Sequence, residues 1–358
     1  MLPPDAEDYE RRVEGATEAL ELYFEQLVGE LDESNGGFGW WAGYSDWKTL
    51  TLLSDYLIQT IDSARESLLL ASLAAKTHRE KATAEAFAFR QAQRTGVSIW
   101  PLDAAGRRRA LELSQSAESC FFHLGQALDR LAVAIIIVGG FEINDAMKLD
   151  WGTVEEIAEN LADGSARERY QPADSPGRAV QEALMLPVRD WASHGPDDWF
   201  PWMRDTRNGM THRAGAKRIT TMTKDGRFVR LFYRQPRWSE LQSMVFGARP
   251  PKKPLFDAFI LSASEDILDG LCESMGKFVE AVVAAMGACW AERRADPSLI
   301  VQHGRQWRLR DPSESMSNFP GYGLAVVPDA RQLRISPSSG RRWAAGRVLD
   351  DRRADWYA

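Results

Sequence analysis

Cysteine is scarce in this 358-residue chain: Cys120, Cys272 and Cys289 lie far apart, with no C-x-x-C and no Cys/His grouping. That pattern excludes a zinc finger or ribbon and a disulfide framework, and it fits a reducing, cytoplasmic setting. A Gly-rich phosphate loop is missing too, as are internal repeats and low-complexity tracts. The chain opens on Met1-Leu2-Pro3-Pro4 and runs at once into acid, without the basic start and apolar centre of a signal peptide. Its greasiest run, residues 131–141, follows Asp129-Arg130 and is too short to span a bilayer, so a buried helix and no membrane are expected there. A net charge of -7 argues against indiscriminate coating of nucleic acid or anionic lipid, while leaving local patches open. Neither a metal nor a cofactor is expected.

What is present is a folded chain, 44% hydrophobic and 27% charged, long enough for two domains or one large helical one. Apolar residues recur at helical spacing over residues 5–31, 50–94, 104–138, 153–161, 178–191 and 255–290. Gly139-Gly140 stops the third of these helices, and Thr153 is a plausible cap for the fourth. Residues 34–47 form a glycine- and aromatic-rich loop whose rings either stack on bases or plug the joint between two helices. Residues 218–223 and 227–233 flank Lys224-Asp225-Gly226 and predict a β-hairpin. The arginine-rich tail, residues 297–358, carries two apparent short strands at 321–327 and 331–335. The expected architecture is therefore mainly α: long N-terminal helices over residues 1–102, a helical domain with an inserted hairpin over 103–296, and a small C-terminal β-containing appendage over 297–358.

Chemistry concentrates in one stretch, Arg204-Asp205-Thr206-Arg207-Asn208-Gly209-Met210-Thr211-His212-Arg213. On a helix of ~3.6 residues per turn, Asn208 and His212 share a stripe and Arg207 lies close to it. An imidazole moves protons near neutral pH, and a guanidinium binds phosphate through a planar fork of donors. Between positions 201 and 234 nine basic side chains, Arg204, Arg207, Arg213, Lys217, Arg218, Lys224, Arg227, Arg230 and Arg234, face only Asp205 and Asp225. The first helix is the opposite, with eleven acids from Asp5 to Glu33 against Arg11 and Arg12. That acidic face is either solvated, or it docks on a basic partner or covers a basic site. Arg207 itself has a plain structural alternative, an ion pair with Asp205 or with an acid on a neighbouring helix.

Arg207-Asn208 followed by His212, in a helical protein, resembles the HEPN superfamily, whose signature is an arginine, often followed by a polar residue, and then a histidine after four to six intervening positions, four here. The resemblance covers at most residues 107–290. It implies a helical bundle, a homodimer whose two motifs line one cleft, and metal-independent ribonuclease activity of the kind found in toxins and antiviral effectors. Carried onto this chain, it makes Arg207, His212 and Asn208 the catalytic set, with Arg204, Arg213, Lys217 and Arg218 holding RNA, and a cognate antitoxin or regulatory partner expected. A catalytically silent module that binds RNA or a nucleotide is the alternative. The tyrosine that one branch of the family carries two positions after the histidine is Ala214 here, so regulation through that tyrosine is not carried over.

Overall fold

The computed structural model describes residues 8–31, 40, 47–96, 103–141, 149–164, 170–212, 218–234, 255–300, 321–324 and 326–327, and at 47–52, 212 and 255 the backbone alone. Among the described residues there are eight α-helices and one hairpin, besides short 3-10 turns: α1 Asp8–Arg11, α2 Glu14–Leu31, α3 Trp47–Thr95, α4 Ala104–Val138, α5 Trp151–Ala162, α6 Pro176–Arg189, α7 Trp199–His212, β1 Arg218–Met222, β2 Phe228–Phe232 and α8 Ser264–Ala295. The mainly α architecture with an inserted hairpin is thus as the periodicity predicts.

Where structure and expectation part, the reasons are local. At α5 the cap is Asp150, whose carboxylate accepts from the Thr153 amide at 3.0 Å, so Thr153 belongs to the first turn. The last long helix begins at Ser264, nine residues later than its apolar repeat suggests. The preceding residues pair with β2 instead: the Ile260 amide donates to the Phe232 carbonyl and the Arg234 amide to that of Ala258. Phe259 and Ala263 then bury with Val229 and Leu231, a packing gain that a helical start at 255 would forfeit. At the expected strand 321–327 the described residues form bends and irregular backbone, with Tyr322 and Leu324 almost fully exposed. The expected strand 331–335 and most of the 34–47 loop lie outside the described residues.

The chain divides into two compact units, each assembled from three separate stretches. The first takes Met1–Glu21, Asp62–Arg130 and Leu186–Ala285. Its core is aromatic: Phe121 meets Trp202 and Phe232 edge-on, both at 5.7 Å, and Phe200 packs on Phe278 at 5.2 Å. Each such buried ring stabilises the fold by roughly 1.5–3 kcal/mol. The hairpin is pinned here by Phe228 stacked on Phe89 and by Arg230, which grips Glu85 through two hydrogen bonds of 2.9 and 2.8 Å.

The second unit takes Leu22–Ile61, Leu131–Met185 and Met286–Ala358. Here α4 ends as Gly139-Gly140 predicts, with Gly140 at φ +60° and the Phe141 amide reaching back to the Ile136 carbonyl. The buried Arg293 guanidinium caps the same helix end through the Ile137 and Val138 carbonyls. The Trp290 indole donates to the buried Glu30 carboxylate at 2.9 Å, and Trp40 meets Trp290 edge-on. Trp40, the one described ring of the aromatic loop, thus packs against α8.

By length and composition α4 could cross a membrane, but 72% of its most apolar stretch is buried inside the protein.

Candidate functional site

The motif falls on α7, all of it within the first unit. Asp198, at φ +59°, turns the chain into the helix, and its carbonyl accepts from the Trp202 amide at 3.0 Å. Pro201 sits in the first turn, where its missing N–H costs nothing. Phe200, Met203 and Thr206 then bury at helical spacing and fix the rotation of the helix, which carries Arg207 towards α4.

Arg207 lies along the 118–122–125–129 stripe of α4. Its Nη2 donates to Asp129 Oδ2 at 2.6 Å and its Nη1 to Asn208 Oδ1 at 2.9 Å. The guanidinium stem rests on Gly125, where a methyl group would come within 2.4 Å of Nε. That Nε is buried and has no hydrogen-bond partner. The Arg207 side chain keeps 19% of its surface and Asp129 keeps 35%, so the pair borders solvent. The acid on a neighbouring helix that the sequence left unnamed is Asp129.

One turn further along the same seam the helices part. An open groove of about 590 Å³ lies between Ser114, Gln115, Glu118 and Phe122 of α4 and Met210 and Thr211 of α7. Because Arg207 touches 125 and 129 while Met210 and Thr211 face 114–122, α7 runs antiparallel along α4. His212 is the last residue of α7, directly after Thr211. Its side chain lies outside the described residues, as do Arg213 and Lys217.

The remaining site expectations separate. Arg204 is half-buried, its guanidinium 5.8 Å from the Phe200 ring. Arg218 is 10% exposed, donates to Glu118 Oε1 at 2.8 Å and lies 5.9 Å from the Phe232 ring. Three of the nine cations of the basic island are thus ion-paired: Arg207, Arg218 and Arg230 each meet a carboxylate of α3 or α4. His123 stays with its own helix, Nδ1 at 3.1 Å from Gln126 Oε1, and burial lowers its pKa.

Two features had no counterpart in the sequence reading. Gly125 is legible only as the small member of the α4 stripe that also holds Glu118, Phe122 and Asp129. The other is His78, fully buried on α3. Its Nδ1 lies 3.1 Å from both the Leu113 carbonyl and Ser116 Oγ, and its Nε2 lies 2.8 Å from Ser264 Oγ. A carbonyl only accepts, so Nδ1 carries the proton and Nε2 accepts from Ser264. Burial lowers the pKa to about 4; the Leu113 hydrogen bond opposes this, and Arg218, Arg230 and Arg79 add to it.

The thiols are inert by environment. Cys120 and Cys272 touch at 3.8 Å in the core, and that hydrogen bond together with burial raises the Cys120 pKa; burial pushes Cys289 up to about 12. Among the described residues no three His, Cys, Asp or Glu side chains gather to hold a metal ion. Set against known proteins, the chain matches no family model, no curated protein and no solved structure.

Proposed function

We propose that this chain is a metal-independent endoribonuclease of the kind its HEPN resemblance implies, acting at the seam between α4 and α7. The observation that carries the reading is the seating of Arg207. Asp129 and Asn208 hold two arms of its guanidinium at the solvent edge, beside an open groove that ends next to His212. Preorganised donors stabilise developing charge better than mobile ones.

In this reaction RNA supplies its own nucleophile. The 2′-hydroxyl attacks phosphorus, the P–O5′ bond breaks, and a 2′,3′-cyclic phosphate and a 5′-hydroxyl result. His212 takes the 2′ proton or gives one to the departing 5′ oxygen, and a second copy of the chain supplies the other imidazole. Such acid–base help contributes about 100- to 10,000-fold. Arg207 meets the charge that builds on the phosphoryl oxygens, and Asn208, which cannot move protons, orients it. Arg204, Arg213 and Lys217 attract the strand. Control of such an activity falls to a cognate antitoxin, a neighbouring subunit or the acidic first helices.

A second reading is favoured by the same contact. Arg207 already has a carboxylate at 2.6 Å, which suits a binding or sensing module that never cuts. Labelled RNA incubated in excess chelator with wild type, His212→Ala and Arg207→Ala separates the two. The expected result is cutting by the wild type, with a cyclic-phosphate end, and at least a 100-fold loss in each variant at unchanged circular dichroism. Cutting retained by His212→Ala overturns the mechanism, and salt-sensitive binding without any cutting establishes the second reading.

A further inference from the structure

We propose that the groove between α4 and α7 is a nucleobase pocket that selects guanine; the inference takes single-stranded RNA as substrate from the reading above and adds which base is held beside the reacting phosphate. The groove's volume of about 590 Å³ lies within the roughly 300–1,000 Å³ that pockets for small organic ligands occupy. Among the described residues Glu118 is the only charged one lining it, and its carboxylate favours an occupant that offers hydrogen-bond donors.

Glu118 is fixed for such a task. Its Oε1 is engaged by Arg218, which enters from β1 and is itself nearly enclosed, while the carboxylate remains 47% exposed. Among the described residues Oε2 has no partner. One turn away on the same face, Phe122 is 42% exposed, an aromatic surface left open to solvent in the groove beside the still more exposed Leu111. Single-stranded RNA is read by this combination, a ring that stacks on the base and a side chain that bonds its Watson–Crick edge.

The edge chemistry chooses the base. An ionised carboxylate only accepts. Guanine is the one standard base whose Watson–Crick edge presents two adjacent donors, N1–H and the 2-amino group. Adenine and cytosine set a ring-nitrogen acceptor beside their amino donor, and uracil flanks its single N–H with two carbonyls. Gln115 and Ser114, one turn earlier on α4, supply donors of the kind that the guanine carbonyl requires.

Calorimetric titration of the full chain with 3′-GMP, 3′-AMP, 3′-CMP, 3′-UMP and arginine amide tests this without relying on catalysis. The expected result is 3′-GMP at least tenfold tighter than every other probe. Glu118→Gln, which keeps an acceptor for Arg218, should erase that preference, and Phe122→Ala should weaken all four nucleotides about tenfold. Equal affinities, no binding of 3′-GMP, or arginine amide binding as tightly overturns the proposal. On random-sequence RNA, cutting should cluster at guanosine. Cutting without base preference overturns the inference and leaves the ribonuclease reading intact, whereas a 3′-GMP preference without cutting upholds it and defeats that reading.

Discussion

Helix α4 carries two polar clusters on two faces, and they are built to opposite rules. On one face Leu113 and Ser116 close around His78, which is fully buried with both ring nitrogens engaged. On the other, Gly125 and Asp129 hold Arg207 at the edge of an open groove, with Nε left unpartnered and nearly a fifth of the side chain exposed. A buried polar group with every bond made specifies packing. One that keeps part of its surface beside an open groove, as Arg207 does, can still be reached by a ligand. The histidine that looks most catalytic by burial and hydrogen bonding is thus the structural one, and the arginine with an incomplete shell is the candidate for chemistry.

The contrast can be broken at three strengths. Replacing His78 with Ala removes a ring from a closed site and takes one hydrogen-bond partner from each of the Ser116 and Ser264 hydroxyls, a loss of stability on the order of 4 kcal/mol in urea denaturation. A loss below about 1 kcal/mol would mean that the cluster is not holding α3, α4 and α8 together.

Proton uptake by the same ring gives a smaller effect. The unfolded chain binds a proton near pH 6.5 and the folded one only near 4. Stability is therefore full above pH 7 and falls as the pH drops from 6.5 towards 4, by about 3 kcal/mol in total. Denaturation midpoints measured from pH 7.5 to 5 should fall for the wild type and stay flatter for His78→Gln. Parallel curves would count against a neutral buried imidazole.

The smallest change probes the other face. In Gly125→Ala the methyl group arrives 2.4 Å from Arg207 Nε and displaces the guanidinium from Asp129. Alanine also favours the helix by about 1 kcal/mol over glycine, so the thermal midpoint should hardly move. RNA cleavage should drop about tenfold. Unchanged cleavage would show that the seat of Arg207 does not matter to the reaction.

Much of this was legible in the residues. The helices announce themselves by apolar spacing, α4 most clearly, because Gly139-Gly140 ends it and Ile135, Ile136 and Ile137 can only be core. The hairpin is equally plain from Lys224-Asp225-Gly226, and Gly226 takes the positive φ of +80° that such a turn needs. What could not be read was pairing across elements. Asp129 and Arg207 are 78 positions apart, and nothing local in either says that they meet. The same holds for Glu85 with Arg230 and for Glu118 with Arg218, which is why the pairing of three of the nine cations with carboxylates of α3 and α4 could not be read from the run itself. Residues 255–263 misled for another reason: their apolar repeat suits a helix, but only 255–258 turn as a short 3-10 helix, and the backbone at 258–260 then bonds to the end of the hairpin.

The first unit is threaded from three stretches, and this sets an order of events on the ribosome. At roughly 5–20 residues per second, α7 follows the Asp129 region within some seconds, so Arg207 can find its carboxylate early. His78 waits longer, because Ser264 lies 186 residues downstream. Full packing of the seam also waits for α8, because Phe200 of α7 rests on Phe278 there, so the ion pair forms first and the packing beneath it last.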